Sequence, residues 1–386
     1  MQKKVIALAV AGLVSGAAFA QSNVTVYGVA DAGYVYGSGD RQGAANKNLN
    51  FSGIQSGLLA GSRIGFKGEE GLGNGLKAVF TLEYALQIDA DAGVGSTGAT
   101  GNNIGGTNAR QQFVGLEHNK LGTVALGMQY APAFYASGRN DAFMSSTGIG
   151  SLARLTLVGD NSISGTNPAR WTNSVTYTSP TWSGFSVRAA YGFGENASEL
   201  TTVASGNGNG ISRGDNGKFG VGGNYANGPL NLDLVYQSRQ GVRTATSGVT
   251  ASATTGDSIN EWYLGGSYDF KVVKISGSYQ DKSDSNGTSA TEFGNNIWQV
   301  GASVPVFGNG KFYAGYSRLS QDRTASGNIK AWNLMYSHSL SKRTTLYTGV
   351  TQFDNDNNSI VAASNSTVGA IGEKNITYAA GMNHTF

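Results

Sequence analysis

Leu76-Lys77-Ala78-Val79-Phe80-Thr81-Leu82-Glu83-Tyr84-Ala85-Leu86 carries an apolar side chain at every even position and sets Lys77, Thr81 and Glu83 between them. A period of two sends the two sets to opposite faces of an extended chain, one apolar and one polar. The same alternation returns in Phe185-Ser186-Val187-Arg188-Ala189-Ala190-Tyr191, in Leu230-Asn231-Leu232-Asp233-Leu234-Val235-Tyr236 and in Trp332-Asn333-Leu334-Met335-Tyr336-Ser337-His338. A water-soluble sandwich alternates too. Here the strands recur along the whole chain, aromatics gather at their apolar ends, and long connections alternate with short ones. Those features belong to a wall that crosses a lipid–water boundary.

The short connections fall at 69–75, 118–122, 179–184, 226–229, 270–272, 305–310 and 341–343. Between them lie long stretches rich in Gly, Ser, Asn and Thr at 37–59, 88–108, 131–169, 194–216, 239–257, 282–294, 320–327 and 354–373. This spacing predicts an all-β chain of about sixteen antiparallel strands, with tight turns on the periplasmic side and long loops outside. Within lipid every backbone N–H and C=O needs a protein partner, so such a sheet has to close into a transmembrane barrel. About sixteen strands enclose a water-filled lumen, whereas about eight are plugged by their own side chains.

Composition agrees. Charged residues are 13% of the chain, about half the ~25% usual in soluble proteins. The 18 Tyr and 16 Phe exclude a disordered chain. Cysteine is absent, so rigidity has to come from a closed ring of hydrogen-bonded strands rather than from disulfides. Lys3 and Lys4 precede an apolar run from Val5 to about Val14 that ends in Ala18-Phe19-Ala20. That is the form of an export signal cut after Ala20, leaving residues 21–386 as one barrel domain. The 27 Lys+Arg against 24 Asp+Glu become 25 against 24 without Lys3 and Lys4, a balance that argues against nucleic acid as a partner.

Several blocks carry a family resemblance. They are Asn23-Val24-Thr25-Val26-Tyr27-Gly28-Val29-Ala30-Asp31-Ala32-Gly33 and the hairpin Ser62-Arg63-Ile64-Gly65-Phe66-Lys67-Gly68-Glu69-Glu70-Gly71-Leu72-Gly73-Asn74-Gly75-Leu76-Lys77-Ala78. Gln112-Phe113-Val114-Gly115-Leu116, Asn173-Ser174-Val175-Thr176-Tyr177 and the closing Gly381-Met382-Asn383-His384-Thr385-Phe386 add to them. Together they resemble the trimeric general porins of β-proteobacteria over essentially the whole mature chain. The resemblance implies an outer-membrane homotrimer of 16-stranded barrels passing ions and small hydrophilic solutes by passive diffusion. It further implies a third outer loop folded inward, and a terminal Phe386 that addresses the chain to the barrel-assembly machinery. The sequence departs from the family at Gly71, where an acid is common, and at Met128, where Arg often precedes the third loop.

Strand parity sorts the charges, because Arg or Lys facing lipid at mid-bilayer costs about 2–4 kcal/mol. With Ile64 and Phe66 outward, Arg63 and Lys67 point inward; Lys77, Glu83, Arg170, Arg188 and Asp31 follow by the same argument. Arg110 shares the parity of Val114 and Leu116, which requires a bulge or a loop-end position. The candidate constriction loop begins at Ala131-Pro132 and carries Arg139, Asp141 and Arg154. Arginines on a wall opposite an inserted loop favour one ion sign. Since the loop carries both signs, the expected anion preference is weak.

Other readings fare worse. A barrel hydrolase needs a nucleophile, base and orienter at the rim. Only three His exist, His118, His338 and His384, all toward the short turns, and no G-x-S-x-G occurs. A solute-specific channel needs aromatics along the lumen, and parity sends most of them outward. An adhesive role for the loops is compatible with a channel. Asp354-Asn355-Asp356-Asn357-Asn358 echoes a calcium loop but lacks the Gly at Ser359 and the carboxylate at Asn365. Gly206-Asn207-Gly208-Asn209-Gly210 has no strand–helix context for phosphate. No cofactor, metal or catalytic residue is expected.

Overall fold

The computed structural model describes residues 23–39, 49–90, 109–193, 217–243, 254–285, 294–322, 327–356 and 372–386. The signal segment 1–20, the Gly206–Gly210 repeat and Asn357, Asn358, Ser359 and Asn365 of the calcium-like stretch lie outside them.

Among the described residues, seventeen strand segments form one antiparallel sheet. They are β1 Asn23–Gly39, β2 Leu49–Ser56, β3 Arg63–Gly73, β4 Leu76–Ala85, β5 Ala109–His118 and β6 Gly122–Tyr130. There follow β7 Arg170–Thr178, β8 Phe185–Gly192, β9 Lys218–Asn227, β10 Leu230–Arg243, β11 Thr254–Asp269 and β12 Lys274–Ser283. The last are β13 Asn295–Val306, β14 Gly310–Gln321, β15 Ile329–Ser339, β16 Thr344–Asn355 and β17 Lys374–Thr385. β1 pairs with β3 through 23–29 and with β2 through 32–39, so β2 and β3 are two halves of one interrupted stave. Counted as staves there are sixteen. The pairing of β1 with β17 closes the ring, so no strand among the described residues is left as a free edge.

The first long connection is shorter than the sequence suggests. The stretch 37–59 reads as loop because it is rich in Asn, Ser and Gly, yet Leu49–Ser56 is strand, paired with β1. Pairing to a neighbour overrides weak propensity there. The tight turns fall where expected. The one after β3 runs through Gly73, Asn74 and Gly75, all with positive φ (88°, 52° and 81°), a conformation that Gly and Asn adopt at least cost.

Leu82, Val187 and Leu234 are exposed on the outer surface, as a lipid-facing wall requires. Aromatic pairs mark two levels of that wall. Phe185 with Tyr225, Tyr268 with Phe270 and Phe312 with Tyr336 lie toward the short turns, at centroid separations of 4.4, 4.5 and 4.9 Å. Trp262 with Tyr279 and Trp298 with Tyr316, at 5.1 and 5.3 Å, lie toward the loops. Rings with polar tips favour these two interfaces.

At the seam, Gly28 and Phe386 exchange backbone hydrogen bonds of 3.1 Å in both directions. The Phe386 ring covers Gly28 so closely that a Cβ there would lie 2.3 Å from it. Only glycine makes room for the terminal ring.

The interior is not uniformly polar. Segment 131–169, between β6 and β7, carries helices α1 (Pro132–Arg139) and α2 (Leu152–Val158) and lies inside the barrel. Leu152 and Leu155 of α2 pack on Ile297, Leu319, Ile329, Ala331 and Phe353. Ala133, Ala136 and Ile163 pack on Val235 and Tyr263. These strands therefore carry apolar groups on both faces, the inner set covered by the loop.

Candidate pore constriction

The inserted loop is held by side chains rooted in β10 to β16. The Glu261 carboxylate, 1% exposed, accepts the Ser162 N–H at 2.9 Å and the Ile163 N–H at 3.1 Å. Lys282 and Asn295 donate to the Gly159 carbonyl at 2.9 and 2.8 Å. Gln299 donates to the Asn140 carbonyl at 2.6 Å, and Asn333 to the Ile149 carbonyl at 2.8 Å. Each is an inward position of its strand.

A second anchor comes from the break between β2 and β3. Asp31, fully buried, accepts the N–H groups of Leu59 and Ala60 at 3.3 and 3.2 Å, the Tyr347 hydroxyl at 2.8 Å and the Asn383 amide at 2.8 Å. It fixes segment 57–62 as an inward excursion. The Leu58 carbonyl there accepts from the Ser146 hydroxyl at 2.6 Å and the Gly148 N–H at 3.0 Å. The loop is thus fastened along its length to one side of the barrel.

The other side is basic. Arg63, Arg110 and Arg170 line a cavity of about 430 Å³ whose far wall is the loop, through Phe134, Met144, Thr147 and Thr166. Glu83 is the one carboxylate among the described residues lining it. It takes Arg110 Nε at 2.7 Å, the Tyr130 hydroxyl at 2.8 Å and the Tyr27 hydroxyl at 3.0 Å, with Arg63 Nε at 3.6 Å. Arg170 lies over the Tyr130 ring at 5.9 Å. One acid therefore faces three guanidinium groups.

Arg110 reaches this cluster through a register shift. Glu83 pairs with Gln111 and Tyr84 with Ala109, so Arg110 is the additional residue of a bulge and turns inward against its nominal parity.

The remaining charges singled out in the sequence lie elsewhere. Lys77 pairs with Glu69 at 3.1 Å near the short turns. Arg139 and Asn140 bind Asp233 on β10. Asp141 folds back into its own loop and accepts the Phe143 and Ser145 N–H groups, both at 2.9 Å. Burial pushes that carboxyl upward while the two amides act against it. Arg154 is tucked over the Phe353 ring at 4.7 Å, and burial lowers its guanidinium to about 10. It remains cationic at neutral pH. Arg188 stacks over Tyr135 of α1 at 4.0 Å. The loop's sequence offers charges of both signs, but the face it turns to the arginines is hydroxyl, ring and thioether.

Tyr27, Tyr130, Phe134, Met144 and the anchors Asp233 and Glu261 were not singled out by charge or motif. Inward acids in the middle of strands, opposite a long inserted loop, are the signal that could have found the anchors.

The model of a Gram-negative porin family matches residues 7–358. The chain belongs to that family: it is an outer-membrane channel for passive diffusion, not an enzyme. It is 34% identical over 350 residues to outer membrane porin protein 32 of Delftia acidovorans, covering 90% of this chain and 88% of that one. An outer membrane porin protein of Bordetella pertussis is 30% identical over 380 residues, covering 90% and 93%. Among solved structures, the anion-selective porin from Comamonas acidovorans superposes with a TM-score of 0.73 at 27% identity, covering 95% of this chain and all of that one. The trimer form of the outer membrane protein OmpT of Vibrio cholerae, at TM-score 0.63 and 16% identity, shares the fold.

Proposed function

We propose that the channel favours anions, with Arg63, Arg110 and Arg170 forming the basic wall that sets the sign. The observation that carries this reading is the charge count at the cavity. Glu83 balances one guanidinium, and the acids of loop and wall outside the lining are engaged elsewhere: Asp31 with the Leu59 and Ala60 amides, Asp141 with backbone amides, Asp160 with Arg239 and Asp233 with Arg139. A fixed net positive charge in a narrow passage raises the local anion concentration and repels cations. The anion selectivity named for the Comamonas acidovorans porin is consistent with it. With purified protein in a planar bilayer and a KCl gradient, the reversal potential is expected to lie on the chloride side. A potential on the potassium side removes the proposal.

We infer further that the mature chain begins at Gln21, inserts as a homotrimer surrounded by outer-membrane lipid, and presents Phe386 to the barrel-assembly machinery. The basic, apolar and small-residue order of 1–20 supports the first point. The trimer named for the Vibrio cholerae structure supports the second. The aromatic residue that follows β17 at the seam supports the third. Protein isolated from outer membranes is expected to start at Gln21 and to migrate unheated at three times the monomer mass. Deleting Phe386 is expected to lower its amount several-fold. An uncleaved N-terminus, a monomeric band or an undiminished yield each removes the corresponding point.

A further inference from the structure

We infer that the constriction is shaped for small organic anions with a flat apolar body, aromatic carboxylates above all, rather than for inorganic anions alone. This rests on the anion-passing reading above and names the solute class within it.

The two walls of the cavity differ in kind. On the barrel side, Arg63 is partly exposed, with its Nε only 3.6 Å from the shared Glu83, and Arg170 makes no ion pair among the described residues. On the loop side stand Phe134 and Met144. The Phe134 ring is stacked on Tyr130 at 3.7 Å with an interplanar angle of 2°, and Tyr135 meets it edge-on at 5.8 Å. Its orientation is therefore fixed before any solute arrives.

Met144 is held outward by the turn around it. Its backbone has φ of 55°, its N–H donates to the Asp141 carbonyl at 3.0 Å, and the Asp141 side chain ties down the residues on either side. As a result Met144 is 51% exposed although it lies on a loop inside the barrel. Its contacts are on offer to whatever passes.

A benzoate-like anion matches both walls at once. Its carboxylate meets guanidinium forks, which bind carboxylates with paired hydrogen bonds. Its ring displaces water from Phe134 and Met144, and sulfur makes favourable contacts with ring edges. Acetate has the same charged group without the ring, and chloride gains from the arginines alone. A cavity of about 430 Å³ holds such an anion with water to spare.

The test measures chloride current through single channels in symmetric KCl while potassium benzoate or potassium acetate is added. Benzoate is expected to reduce the current saturably, with half-effect at a concentration about fivefold or more below that of acetate, the size of one aromatic contact. Phe134→Leu and Met144→Asn are each expected to bring benzoate to within about twofold of acetate. Asn tolerates the left-handed backbone at 144 and leaves the Tyr130 stack untouched, so it stands if Phe134→Leu disturbs α1. Equal benzoate and acetate effects in the wild type, with the reversal potential still on the chloride side, overturn this inference and leave the anion reading in place. Wild-type block in both variants overturns it too. A potential on the potassium side overturns both readings.

Discussion

Arg63→Glu combined with Arg170→Glu is expected to turn the reversal potential from the chloride side to the potassium side. The wild-type cavity sets three guanidinium groups against one carboxylate, and the double variant leaves Arg110 against three carboxylates. A unit charge about 4 Å from a passing ion is worth about 1 kcal/mol even at the dielectric constant of water, and more where water is confined. Screening is weak over such distances, because the Debye length at 0.1 M salt is about 10 Å. With each 1.4 kcal/mol worth a factor of ten, the anion-to-cation permeability ratio should fall by about 100-fold or more. Arg110 is spared because it is buried on Glu83 at 2.7 Å, and its loss would strand that carboxylate. Lys77→Glu reverses a charge of the same sign at the paired rim site beside Glu69 and should shift the potential far less. A double variant that keeps the chloride sign excludes these arginines as the selective wall.

Glu261→Ala is expected to raise single-channel conductance and its variability while leaving the barrel folded. The carboxylate accepts the Ser162 and Ile163 amides from a site that is 1% exposed, with Arg239 Nε 3.9 Å away. Hydrogen bonds to a charged group contribute about 1.5–3 kcal/mol each, and the amides left behind in a buried site add a desolvation cost. A loss of about 3 kcal/mol in docking raises the undocked fraction of the loop by about 100-fold. The strand ladder is not touched, so resistance of the barrel to detergent unfolding should persist. Glu261→Gln, which keeps one acceptor oxygen, should give a smaller increase. Unchanged conductance in Glu261→Ala would show that the remaining anchors, from Asp31 to Gln299, hold the loop without it.

How much of this was legible in the sequence differs between wall and constriction. The alternation of Leu82 with Glu83, or of Val187 with Arg188, is enforced by lipid on one side and water on the other, and is written locally in a few consecutive residues. Strand number and turn positions follow from it. The bulge at Arg110 was legible as a conflict of parity, though not its outcome as a pair with Glu83. The fate of the loop charges was not legible. Whether Asp141 faces the passage or its own backbone depends on a turn of three residues, and Arg139 finds Asp233 from 94 residues away. Ile297, Leu319 and Phe353 look outward-facing or misplaced until the loop that covers them is in view. Pairings of that kind are set by tertiary packing, and no window along the chain contains both partners.

The hydrogen bonds between Gly28 and Phe386 join the first strand to the last residue of the chain. Until β17 has been made and delivered, β1 lacks its partner on that side, and every earlier strand belongs to a sheet with an open edge. Such an edge cannot be buried in lipid and readily adds strands from other chains. The ring therefore closes only when β17 arrives, and the strands before it need cover until then. A chain without β17 is, by the same geometry, an open-edged sheet rather than a shorter channel.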